Sequence, residues 1–386
     1  MDVSTLDRRL QQHVDLLLEN GWQPADLAHF ARRGGNVRDS RLLIGLLARH
    51  ARTHSALDRA PDAWLEQLAE RGIVDRASGS VVGGHAAVLA AWGKAERLHP
   101  DDLVDAALDI DELLRRAPRL PVSMPTPGNW PSTNKGTWNL GADPPTSSAP
   151  GRADEVDAKA LRTIRALLAK AESTEFEAES ESFMAKAQEL MTRHSIDLAI
   201  LAAAAHGGSP TIGVESRRVH VENPYADEKS VLLHVIAEAN GAKAIWMPDV
   251  GIATVMGDPV DLRLTDVMFT SLLLQAQRFS AELTGASRDR RTPRFRRAFF
   301  LAFASRVGER LEESRKAATA EAEIEYGSAL APVLARKATA VEEAYRAAFP
   351  DAVTRERRTV DAAGWYAGRD AADRADIGKG ASLPHG

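Results

Sequence analysis

The chain contains no cysteine. That excludes disulfides, thiol nucleophiles and thiolate metal ligands, and it fits a reducing compartment. Aromatic residues are scarce at 5%, which together with abundant alanine argues for helices packed through small side chains rather than a large sandwich of strands. Long apolar runs are missing too. LAILAAAA at 198–205 falls well short of the roughly 20 residues of a membrane span, and the opening MDVSTLDRRLQQHVD is amphipathic with both charge signs, unlike a signal peptide. These absences point to a cytoplasmic protein without a membrane partner. Gly83-Gly84 and Gly207-Gly208 lack the lysine and hydroxyl of a phosphate-binding P-loop, and no HExxH occurs. A net charge of -5 gives no global attraction to nucleic acid, so any such binding must come from a local patch.

What is present is material for two or three domains: 386 residues, 44% of them hydrophobic and 27% charged. Residues 1–116 read as all helical. Leu6, Leu10, Val14, Leu17 and Leu18 recur at helical spacing, Gly21 stops that helix, and WQPADLAHFARR restarts one with Pro24 in its first turn. Further helices are expected at 38–54, 62–71, 83–97 and 101–116, the last with acids at its start and arginines at its end. Residues 117–155 hold eight of the nineteen prolines and read as an extended linker in which Trp130 and Trp138 are candidates for docking.

From 156 the apolar pattern sharpens. Ile164, Leu167, Leu168 and Ala171 form one stripe and Phe183, Met184, Ala187, Leu190 and Met191 a second, predicting a helical hairpin over 156–206. Thr174 and Glu177 have the form of a capping box at its turn, and Ser195 or Asp197 is expected to cap a third helix after His194. The α+β domain at 207–349 is predicted to hold a strand in IGVESRRVHVE, a helix at 227–240, two short β-runs flanking Pro248-Asp249-Val250-Gly251, and long helices near 259–284, 293–320 and 330–348. The tail at 350–386 reads as partly helical. The fold class is therefore mainly α with a small α+β C-terminal domain, a helical hairpin plus a short β-hairpin or sheet packed by long helices.

The hairpin carries a resemblance. Its Ile164, Leu167, Leu168, Ala171-Glu172-Ser173-Thr174, Glu179, Ala185, Ala187-Gln188-Glu189-Leu190-Met191, His194 and Ile196-Asp197 resemble the short helical module of the bacterial domain of unknown function 2786 family, most closely over 160–197. Residues 227–315 look, more loosely, like the segment that follows this module in actinobacterial relatives. The resemblance implies no reaction, substrate or catalytic residue.

Site candidates come from the residues themselves. In SRDRRTPRFRR, Arg288, Arg290, Arg291, Arg294, Arg296 and Arg297 crowd a loop and a helix start. Guanidinium groups hold phosphates by paired hydrogen bonds, and helix N-terminal N–H groups add to anion affinity. Surface arginine runs are also commonly solvated or paired with acids. LLLENGWQPADLAHFARRGGN has the length of a DNA-reading helix-turn-helix, and equally of an ordinary helical hairpin. His234 and Glu238 lie four apart on one helix, a spacing that metal sites use and that surface pairs share. Glu172, Glu175, Glu177, Glu179 and Glu181 are accounted for by a capped helix start.

The leading expectation is a non-enzymatic binding protein without a cofactor, whose partner is nucleic acid or another polyanion held by the arginine patch. Two alternatives stand beside it. One is a metal-dependent hydrolase built on His234 and Glu238, and the other a scaffold whose alanine-rich helices at 199–205 and 329–348 form a homo-oligomer interface.

Overall fold

In the computed structural model the described residues are 2–34, 37–84, 87–131, 152–173, 177–205, 213–286, 292–352 and 361–374. The chain divides into two compact units, residues 1–146 with 249–252, and residues 147–248 with 253–386. The fold is mainly helical with two small sheets, as its composition implies.

In the first unit, α1 (Val3–Glu19), α2 (Pro24–Gly34), α3 (Val37–Thr53), the single turn α4 (Ala56–Arg59) and α5 (Asp62–Glu70) precede a strand pair. After the strands come α6 (Val88–Ala95) and α7 (Pro100–Arg115). The leucines at helical spacing explain the packing: α1 and α3 are in contact, and Leu6, Leu10 and Leu18 of α1 and Leu42, Leu43 and Leu46 of α3 are all fully buried. Asp7 crosses that core and is fully used, accepting from Leu89 N at 2.8 Å and from Arg49.

This region is not all helical. β1 (Val74–Asp75) pairs antiparallel with β2 (Ser80–Val81). The Asp75 carboxylate accepts from Ala77 N at 2.9 Å and from the Ser78 hydroxyl at 2.7 Å, a local bond that favours a turn over a helix. The helix expected from 83 begins at 88 because Gly84 sits at φ 73°, where a Cβ would lie 2.4 Å from the α3 backbone.

Residues 117–131 pack on this unit. Trp22 Nε1 donates to Pro118 O at 2.8 Å, and Trp130 is buried edge-on against Trp64 with its Nε1 donating to Pro125 O. Trp138 lies outside the described residues.

The second unit contains α8 (Arg152–Ser173), α9 (Glu177–Ala205), β3 (Glu215–His220), α10 (Ala226–Ala239), β4 (Lys243–Met247), β5 (Ile252–Gly257), α11 (Pro259–Ala286), α12 (Pro293–Tyr326), α13 (Leu330–Ala348) and α14 (Ala362–Arg374). The expected β-hairpin is present, and its second strand β5 is the centre of the sheet, in the order β3-β5-β4. Every residue of β5 is buried, which suits its run of small and branched side chains.

The helical hairpin is present as well, its apolar stripes feeding the main core: Ile164, Leu168, Ala187 and Met191 join Leu233, Leu272, Phe299 and Phe303. The turn at 174–176, and with it the Thr174–Glu177 capping box, lies outside the described residues. The expected third helix does not form as a separate element. α9 continues through His194 to Ala205 because nothing in that stretch breaks a helix, and Ser195 and Asp197 spend their side chains on other helices instead of on caps. Among the described residues no helix is long and apolar enough to cross a membrane.

α14 packs along α12 at backbone distance. A Cβ at Gly364 or Gly368 would stand 2.4 Å or 2.2 Å from the carbonyl oxygens of Phe295 and Phe299. Both positions therefore require glycine for the close approach, not for an unusual φ. The exposed edge of the pair is clasped by Glu309, which accepts two hydrogen bonds from Arg369, at 2.8 and 2.9 Å, and one from Arg306. Those cations pull the Glu309 carboxyl down to about 2 from an ordinary 4.5.

Two outcomes follow from this pair. Gly368→Ala is expected to destabilise the second unit by about 1–3 kcal/mol, since the helices must move apart to admit the methyl group; urea unfolding measures it. Glu309 is depressed in the folded state, so its contribution is present above the unfolded value and is lost as pH falls from about 4.5 to about 2. Because Glu309 is 41% exposed, the contribution is about 0.5–1 kcal/mol. The stability difference between wild type and Glu309→Gln, followed against pH, should vanish across that window.

Candidate functional site

The six arginines of the sequence pattern divide. Arg288, Arg290 and Arg291 lie outside the described residues. Arg294, Arg296 and Arg297 occupy the first turn of α12, whose start is fixed by Pro293 and by Thr292, the hydroxyl of which accepts from Phe295 N at 3.2 Å. One turn of helix separates Arg294 from Arg297 on the outer face. Arg294 is 78% exposed and 3.8 Å from Asp361, and Arg297 is 65% exposed and 3.6 Å from Glu228. At such distances and exposure the pairs are weak, so both cations stay available to an anion.

Arg296 points the other way. It lines a cleft of about 420 Å³ between α10, α11 and α12, together with Tyr225, Lys229, Gln277, Ser280 and Phe300. Its Nε is buried and has no hydrogen-bond acceptor among the described residues. Lys229 enters from the first turn of α10. It is nearly buried, donates to Glu222 O at 3.0 Å, and has its pKa pushed down by desolvation. Beside it Glu228 is pushed up, again by burial first, and Arg297 only partly offsets that.

The apolar wall of the cleft is Tyr225 against Phe300, with ring centroids 5.8 Å apart and planes 30° from parallel. Tyr225 holds φ 65°, a conformation that a bulky side chain adopts only when its surroundings impose it. The cleft thus offers two cationic groups, polar groups on α11 and an aromatic face within one concavity of nucleotide size.

Of these residues the sequence reading named only Arg296. Lys229 sits in the mixed-charge run ADEKS and Tyr225 behind a proline, so neither is distinguishable in sequence from an ordinary helix start. The spacing that singled out the arginines could not say which face of α12 each would take.

His234 and Glu238 share the exposed face of α10 at 3.5 Å, 49% and 59% exposed, and no third metal ligand joins them among the described residues. The helix-turn-helix pair is α1 with α2, and most of α2 is buried, His29 included. That leaves the end of the helix at Arg32 exposed rather than a whole face that could enter a groove. Gly21 makes the turn at φ 90°, against Leu120 O. The side chains of Glu172, Glu175, Glu177, Glu179 and Glu181 lie outside the described residues.

A second polar constellation lies under the hairpin. Asp261 of α11, 1% exposed, faces Lys337 of α13 at 2.7 Å and accepts from the Ser195 hydroxyl of α9 at 2.7 Å, while Lys337 donates to Ser195 Oγ at 3.0 Å. Burial raises the Asp261 pKa, and Lys337 and Ser195 counter it. Two residues on, Asp197 accepts from Tyr326 OH at 2.7 Å, and that hydrogen bond, with burial, pushes the Tyr326 hydroxyl up to about 12.

Ser195 and Asp197 belong to the stretch that resembles a known module. A family model described as a protein of unknown function (DUF2786) matches residues 159–198. That is about a tenth of the chain, and it coincides with the hairpin stripes and with the polar contacts of Ser195 and Asp197. No curated protein and no solved structure matches the chain. Within the DUF2786 segment Ile164, Leu168, Ala187 and Met191 are core residues, and the HSID end makes hydrogen bonds to α11, α12 and α13.

Removing one member of the buried trio leaves the opposite charge without compensation. Lys337→Met is expected to cost about 3–5 kcal/mol, and the double variant Asp261→Asn/Lys337→Met markedly less, because no unpaired charge then remains in the interior. Denaturant unfolding of wild type, both single variants and the double variant measures the difference.

Proposed function

We propose that the second unit binds a single-stranded nucleic acid, one nucleotide of which enters the cleft between α10, α11 and α12. The observation that carries this reading is Arg296: a guanidinium whose buried Nε lacks an acceptor among the described residues, in the same concavity as Lys229. A phosphate oxygen supplies such an acceptor and answers both charges. The Tyr225 and Phe300 rings give a base a surface to stack on, the mode by which proteins hold unpaired strands without reading their sequence.

A cleft of about 420 Å³ admits one nucleotide and not a duplex groove. Arg294 and Arg297, exposed on the outer face of the same helical turn, are placed to meet neighbouring phosphates. The acidic balance of the whole chain fits a short, local contact rather than a long electrostatic track.

Fluorescence anisotropy with labelled single-stranded RNA, single-stranded DNA and duplex DNA tests this. Single strands should bind better than duplex, and Arg296→Ala should weaken binding about 10- to 100-fold, the range of a charge-assisted hydrogen bond of about 1.5–3 kcal/mol. With three phosphates contacted, the logarithm of affinity should fall with the logarithm of salt at a slope near -2, about 0.7 per contact. No binding to any strand, or equal binding by wild type and Arg296→Ala, would remove the reading.

A further inference from the structure

A separate cluster lies in the first unit, on residues the cleft does not involve. His50 and His54 stand one turn apart at the end of α3, and Asp15 projects from α1 toward them. Their ring centroids are 4.2 Å apart, with planes 26° from parallel, and His50 Nδ1 is 2.7 Å from Asp15 Oδ1. One ligand atom from each of the three side chains falls within 4.8 Å of the other two, the one such group of three among the described residues.

We propose that Asp15, His50 and His54 hold a divalent transition-metal ion of the zinc class. Two imidazoles and one carboxylate form a borderline donor set, suited to zinc, cobalt, nickel, manganese or ferrous iron, and too rich in nitrogen for magnesium or calcium. In a tetrahedral zinc site the ligand atoms stand about 3.3 Å apart. Here His50 Nδ1 and Asp15 Oδ1 are 2.7 Å apart and the ligand atoms of the three residues all lie within 4.8 Å of one another, so a shift of about 1 Å or less per side chain closes the set.

Two features mark the cluster as more than a chance grouping. His50 is 2% exposed, yet its Nε2 has no hydrogen-bond partner among the described residues. An imidazole buried at that cost ordinarily satisfies both nitrogens. The carboxylate is also oriented by a second side chain, since Gln11 Nε2 donates to Asp15 Oδ1 at 2.7 Å, as the supporting shell of a metal ligand does.

The wall behind His50 is rigid and apolar, with Trp64 and Trp130 packed edge to face at 4.9 Å. Asp15 and His54 are only partly covered. A bound ion therefore keeps a coordination position facing solvent, the arrangement of reactive rather than purely structural zinc sites. Arg59, whose Nη1 donates to His54 O at 3.3 Å, and Glu19, whose Oε1 accepts from Gly128 N at 2.7 Å, are the nearby charges of opposite sign.

Cobalt(II) is the probe, titrated into the chelator-treated full chain and read by its visible absorption and by calorimetry. One equivalent should bind, zinc should displace it, and magnesium at millimolar concentration should not. His54→Ala and Asp15→Asn, both at partly exposed positions and checked for folding by circular dichroism, should each weaken binding at least 100-fold. His234→Ala should bind as wild type does. Failure of wild type to take up cobalt, equal uptake by His54→Ala and Asp15→Asn, or loss in His234→Ala would each overturn the assignment.

Discussion

Asp261 and Lys337 face each other in the interior of the second unit, with Ser195 between them, and the three residues come from three helices far apart in sequence. Taking a carboxylate and an ammonium out of water costs several kcal/mol each, and only close geometry with additional hydrogen bonds offsets it. That requirement fixes α9, α11 and α13 relative to one another, because a slide of α11 or α13 would strand a buried charge and a slide of α9 would break both Ser195 hydrogen bonds. Hydrophobic contacts alone are less exacting about register. The adjoining bond from Tyr326 to Asp197 ties α12 to the same end of α9.

The cleft inherits this order. Its walls are the first turns of α10 and α12 and the last turns of α11, and α11 carries Asp261 near its other end. α12 is held in turn by the glycine contacts of α14, which set the depth at which Phe299 sits in the core. Arg296 therefore stands on a helix constrained on several sides, a suitable support for a guanidinium that must meet a phosphate without rearranging. Among the described residues the DUF2786 segment contributes none to the cleft; it supplies Ile164, Leu168, Ala187 and Met191 to the core and the polar contacts of Ser195 and Asp197.

Much of this was legible in the sequence, and the failures have physical causes. The apolar stripes of α1 and α8 repeat at helical spacing and place those helices to within a few residues, whereas the stripe of α9 marks only its first half and the helix runs on past His194 to Ala205. The run around Pro248 to Gly251 was recognisable as a hairpin connection. Ser195 was misread because a hydroxyl before an acid has the same appearance whether it caps a new helix or reaches across to Asp261. The β1–β2 pair escaped notice because two-residue strands have no periodicity; only Gly79 and the Asp75 turn mark them. α14 looked like part of a tail, since its signal is a pair of glycines whose purpose is visible only beside the carbonyls of α12. Lys229 and Tyr225 were missed because concavity is a property of three helices together. His50 and His54 carried the same four-residue spacing as His234 and Glu238, but the third group, Asp15, lies 35 residues away on another helix.

The hairpin and the α+β core form one cooperative structure, pinned where Ser195 meets Asp261 and Lys337. Native-state hydrogen exchange resolved along the chain tests it most directly. Amides of α9 from Met191 to Asp197 should open with the same free energy as those of α12 from Phe299 to Val307, and Lys337→Met should lower both equally. Faster, independent opening of α9 in the wild type, with α12 unaffected by Lys337→Met, would contradict the account.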